Sequence, residues 1–170
     1  MAKERKIKVK VKRISWLALF TALSVVGGMI KVPAILASVA LDSFPALLAA
    51  GLLGAGPGAL VAAFGHLLSA LTGGMPMGPF HFLIAAEMAG AVWLFAKIYH
   101  SHKRIAAIIT FIVLNGFVLP VPFIFAMGWE FYVAIVPSLV VASVLNSVLA
   151  WVALPRLQTL FEKHFGGVHV

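Results

Sequence analysis

The feature that most constrains this chain is a series of long apolar runs, each cut off from the next by a glycine- and proline-rich turn or a cluster of charge. Apolar runs of about 18 residues or more read as membrane-spanning helices. A hydrocarbon core of roughly 30 Å takes about 20 helical residues to cross, and it offers no water to satisfy a bare backbone. Composition agrees: 62% of the 170 residues are hydrophobic and the mean hydropathy is +1.08. A soluble domain of this size would need far more polar surface. Cysteine is absent, which removes disulfides and thiolate metal sites.

The net charge of +8 is unevenly placed: seven of the thirteen Lys and Arg residues lie between Lys3 and Arg13, directly ahead of the first apolar run. A cluster in that position sets topology as a cytoplasmic tail, and no nucleic-acid partner is expected from it. The first run lacks an A-x-A-like cleavage site, since Gly27-Gly28-Met29-Ile30 leads into Lys31-Val32-Pro33. It is therefore expected to be a retained helix.

The run lengths predict an all-α membrane protein with six transmembrane helices: Ile14–Ile30, Asp42–Leu53, Gly58–Leu71, Pro79–Ile98, Ile105–Phe125 and Phe131–Leu154. Residues 1–13 would be a basic cytoplasmic tail, 14–155 the membrane domain and 156–170 a cytoplasmic C-terminal tail. The second and third runs are short for a span. The second either begins earlier, near Ala34, or forms with the third a tight hairpin turning at "GAGPG". Charge checks the count. With both termini inside, the inside segments hold twelve basic residues and the outside ones only Lys31, a split that a miscounted span would destroy.

On this topology "KVPAILASVAL", "TGGMPMG" and "MGWEF" face outward, and all are nearly free of charge. In "SALTGGMPMGPFHF" the glycines permit a tight turn, while Pro76 and Pro79 fix φ and start the next helix. Such a short, stiff, semi-apolar segment reads as a lid over a cavity or as a plain structural turn.

Ionisable groups inside a span cost about 2.5–3.5 kcal/mol each on insertion scales, so each needs a reason. Glu87 lies two turns into the fourth span, beside Leu83, Ile84, Gly90 and Ala91, as a pocket ligand or as a neutral or paired group joining helices. Asp42 opens the second span and either N-caps it or faces a ligand. His66 sits on a stripe of Ala59, Ala62, Ala63, Ser69, Ala70 and Gly73, which marks a helix contact with an imidazole bonding across it. His81 lies nearer the outer surface. Asn115 and Asn146 read as interhelical hydrogen-bonding groups, and Trp129 as an interface aromatic beside Glu130. His81 and Glu87 are six residues apart, about 120° round a helix, so they form no one-face ligand pair. H-E-x-x-H, G-x-S-x-G and the phosphate-binding G-x-x-x-x-G-K-[ST] are all missing, so catalysis, nucleotide binding by this chain and a resident cofactor are not expected.

Ser15, Ala18 and Ala22 in "SWLALFTALS" make a small-xxx-small seam. Together with "LDSFPALLAAGLLGAGPGALVAAFGHLLSALTGGMPMGPFHFLIAAEMAG", this makes the chain resemble the substrate-binding (S) component of an energy-coupling factor (ECF) vitamin transporter over nearly its whole length. The resemblance implies a small-molecule micronutrient captured outside a prokaryotic cell, in a pocket capped by outer loops. It also implies delivery through a membrane coupling protein with two ATPase subunits, and toppling of the S component in the bilayer. Ser15, Ala18 and Ala22 would then be docking positions, and Asp42, Phe44, His66, His81, Glu87 and Trp129 substrate-binding ones. The block "GHLLSALTGG-x-P-x-GP-x-H" is most similar to sequences assigned to cobalamin-precursor uptake, such as α-ribazole. The alternatives are a metal-ion uptake subunit using the same histidines, or an intramembrane metal-dependent enzyme.

Overall fold

A computed structural model describes the backbone of residues 2–33 and 38–165, with side chains placed from Val11 to Ile30 and from Ala40 to Phe161. The elements are α1 (Ala2–Met29), β1 (Lys31–Pro33), β2 (Ser38–Ala40), α2 (Ser43–Leu53), α3 (Ala55–Thr72), α4 (Phe80–His100), α5 (Arg104–Val113), α6 (Pro122–Met127) and α7 (Trp129–Phe165). A π-helical turn, Leu114–Val118, extends α5. Among the described residues, five helical stretches are long and apolar enough to cross a membrane: Val11–Met29, Ala55–Thr72, Phe80–His100, Arg104–Met127 and Trp129–Phe161. The helix at the expected second span, Ser43–Leu53, has only 11 residues.

Several expectations need correction. The basic stretch is helical, since α1 runs through it unbroken from Ala2 into the first apolar run. Likewise α7 runs on past Leu154 to Phe165. Among the described residues the regular structure is helical except for one pair of short strands, β1 and β2, which pair antiparallel with Val32 opposite Val39. That hairpin stands just ahead of α2, so the second helix does not begin near Ala34, a residue outside those described. The turn at "GAGPG" reduces to Gly54, whose φ of 98° only glycine adopts without strain; Ala55 to Gly58 are already helical. The fifth run is broken by the π turn and by residues 119–121.

Packing is inverted relative to a soluble protein. Buried positions are dominated by small residues, among them Ala46, Ala49, Ala50, Ala62, Ala91, Ala96, Ala107, Ala150, Ser143 and Ser147. Large apolar side chains point outward, such as Phe64, Phe82, Trp93, Ile109, Trp151 and Phe125, the last 89% exposed. Water would punish that surface; lipid does not, and small residues let helices approach closely within it. α1 and α3 run parallel: a Cβ on Gly65 would stand 2.3 Å from Ser24 Oγ, and one on Gly28 would collide with Ser69. A Cβ on Gly58 would meet the Ala50 backbone at 2.6 Å. The α2–α3 pair is therefore a close backbone contact that explains how an 11-residue helix stays in place.

Gly58→Ala should destabilise the protein by about 1–3 kcal/mol, since neither backbone can retreat. Gly90→Ala, with nothing within 4 Å of the new methyl, should be neutral or slightly stabilising through helix propensity. Thermal unfolding in one detergent compares the two variants; equal effects would remove the close contact as the cause.

Candidate functional site

The helices bring three of the sequence-selected polar residues into one row. His66 Nε2 on α3 lies 3.1 Å from His81 Nδ1 on α4, and His66 Nδ1 lies 3.7 Å from Asp42 Oδ2. The Met77 backbone N–H donates to His81 Nε2 at 3.4 Å. That nitrogen must carry the lone pair, so a neutral His81 holds its proton on Nδ1 and donates to His66 Nε2. The proton of His66 then sits on Nδ1, facing Asp42. Asp42 occupies the N-cap position of α2 but makes no side-chain cap bond. Its Oδ1 accepts from Ser43 Oγ at 3.2 Å, and its backbone carbonyl accepts a bond from Ser24 Oγ.

The missing cap is supplied from α7. Asn146 is 1% exposed; its Oδ1 accepts the Phe44 N–H at 2.6 Å, and its Nδ2 donates to Ala40 O at 3.0 Å. One amide thus satisfies the start of α2 and the end of the hairpin, two backbone groups that apolar surroundings would otherwise leave bare. Phe44 itself is half-buried against the core.

Glu87 lies apart from this row. It lines a cavity of about 70 Å3 between α4, the π turn, α6 and α7, with Met77, Asn115, Phe123, Phe131 and Leu139 among the walls. Glu87 Oε2 is buried with no hydrogen-bond partner. Asn115 is held in place by donating to Ser143 Oγ at 2.8 Å, and Ser143 Oγ donates to Leu139 O at 2.6 Å. A π turn at this wall fits the habit of such turns to aim side chains at functional sites. Gly116, within it, lets the backbone close on Val140, whose Cγ2 would stand 2.9 Å from a Cβ. Pro137 falls between Ile135 and Leu139 on the facing wall.

The turn over residues 73–79 contributes Met77 to the cavity wall. Gly74, Met75 and Gly78 all have positive φ, at 82°, 48° and 53°, and Met75 is strained there because it carries a Cβ. His81 thus grips the turn from behind while Met77 faces the cavity. A second concavity, about 400 Å3, is a wide surface cleft lined by Arg13, Leu17, Pro57 and Ala63 at the opposite end of α3. It is larger, but its walls gather no polar groups beyond Arg13, so the smaller cavity is the better candidate.

Of the six sequence-selected substrate positions, Asp42, His66 and His81 come together and Glu87 faces the cavity. Phe44 belongs to the α2 start. Trp129 is 60% exposed and stacks on Tyr132 with ring centroids 5.4 Å apart, away from the cavity lining. Sequence reading missed Asn115, Met77, Phe123 and Phe131 as wall residues. The adjacent Asn115-Gly116 and the closely spaced Pro120 and Pro122 were the available signal. Among the described residues no group of three or more His, Asp or Glu side chains is placed to hold a metal ion.

The family described as "ECF transporter, substrate-specific component" matches residues 12–167. The chain belongs to that family. A solved structure, "Structure and mechanism of the S component of a bacterial ECF transporter", superposes with a TM-score of 0.72 at 23% identity. The match covers 90% of this chain and 99% of that one; at this identity the likeness is one of fold. No curated protein matches the chain. As an S component the protein is a membrane-embedded transport subunit that binds substrate, which is not an enzyme class.

His81→Ala should speed hydrogen exchange at the Met77 amide by removing its acceptor, and His66→Ala should do so to a lesser degree by freeing the His81 ring. Unchanged exchange in both variants would mean that the row does not hold the turn.

Proposed function

We propose that this S component captures a vitamin or vitamin precursor on the outer side of a prokaryotic plasma membrane, in the cavity beneath the 73–79 turn. The observation that carries the reading is the unpartnered Glu87 oxygen in a largely apolar and aromatic cavity, in a chain of this family. At about 70 Å3 the cavity is far below the ~300–1,000 Å3 of usual ligand sites, so the turn and the α6–α7 wall must move outward to admit a vitamin. Asp42, His66 and His81 act on the substrate through the turn they hold. Phe44 and Trp129 are the least supported of the substrate positions.

In this reading both termini are cytoplasmic, α2 completes a set of six membrane helices, and the substrate is an α-ribazole-like cobalamin precursor. Energy comes from a coupling protein with two ATPase subunits. Ser15, Ala18 and Ala22 form the docking seam. All three side chains are exposed, and Ser15 Oγ bonds only back to Val11 O at 3.0 Å. That face is thus left open for another helix to approach.

Ala18→Leu and Ala22→Leu should abolish uptake in cells carrying the full transporter, while ligand binding to the isolated S component stays within about twofold. Lost binding would place the seam in the fold; retained uptake would remove it from docking.

A further inference from the structure

Glu87 is the only acidic side chain in the cavity lining, and the only other polar side chain there is Asn115. The rest of the wall is aliphatic, thioether or aromatic, including Phe123 and Phe131 with ring centroids 6.3 Å apart. No Lys or Arg approaches from the lining residues of α4, the π turn, α6 or α7. The nearest basic residue along α4, Lys97, is ten residues on and lies over the Trp93 ring at 5.2 Å. His81 is turned to the other side of α4 and bonded to His66.

A buried carboxyl oxygen without a partner needs a donor or a cation, and one left bare is costly. A second carboxylate or a phosphate placed beside it would force two like charges into one apolar site, where they cannot both stay ionised. Aromatic faces, in contrast, attract cations and planar rings.

We infer that this S component selects a planar heteroaromatic ligand bearing no negative charge, whose N–H or O–H donors are received by Glu87. Glu87 is then the specificity-determining residue. The inference rests on the uptake role proposed above and narrows its substrate.

The test is binding to the full chain in nanodiscs, measured by equilibrium dialysis against two ligand sets. One set holds α-ribazole, thiamine, pyridoxine and pyridoxamine; the other holds biotin, pantothenate, nicotinate and folate. The expected result is saturable binding of at least one member of the first set and none of the second, with Glu87→Gln weakening the bound ligand about tenfold or more. Tight binding of a carboxylate ligand to the native chain would overturn the inference while leaving the uptake role intact. So would undiminished affinity in Glu87→Gln. Silence from both sets would overturn the vitamin-uptake reading, and this inference with it.

Discussion

The rest of the structure depends on α3 coming close to two neighbours with almost nothing between the backbones. Gly58 meets the Ala50 main chain and Gly65 meets Ser24, each at a distance that leaves no room for a methyl group. In lipid, helices gain nothing by hiding large apolar side chains from each other, so van der Waals contact at short range is what binds them. This explains why so many alanines and serines lie in the interior while side chains such as Phe64, Phe82, Trp93 and Trp151 face outward. It also explains how a helix too short to span can be retained. α2 is buried on nearly all sides, held by contact with α3 and by the Asn146 amide at its start.

That amide shows how polar groups are used here. The start of α2 cannot turn to water, and Asp42, at the N-cap position, directs its carboxylate to Ser43 and His66 instead. Asn146 replaces the cap from 102 residues away in sequence, closing the bundle between first and last halves. By the same logic Asn115 ties the π turn to α7 through Ser143. Among the described residues three buried polar side chains lack a partner: Glu87, through Oε2, and the Ser138 and Ser147 hydroxyls. Of these three, only Glu87 lines the cavity.

Much of this was legible in the sequence, because apolar run length and small-residue spacing act locally along one helix. The breaks near residues 30, 54, 73 and 101 follow from Gly, Pro and charge. The meeting of His66 with a neighbouring helix follows from its small-residue stripe. The hairpin before α2 was not legible: three-residue strands carry too few positions for alternation to register. Nor could spacing reveal that Asn146 reaches Phe44 and Ala40, or that Asn115 faces the cavity. Those contacts depend on how helices distant in sequence are rotated against each other. The exclusion of a His81–Glu87 ligand pair did follow from helical angle alone, and the two residues do face different neighbours.

The continuity of α1 has a mechanical consequence. Its 28 residues make a rod of about 42 Å, longer than the roughly 30 Å hydrocarbon layer. The seven basic residues near its start are thus joined to the span without a hinge. A tilt of the span therefore carries the first turns of α1 with it, as a lever carries its end.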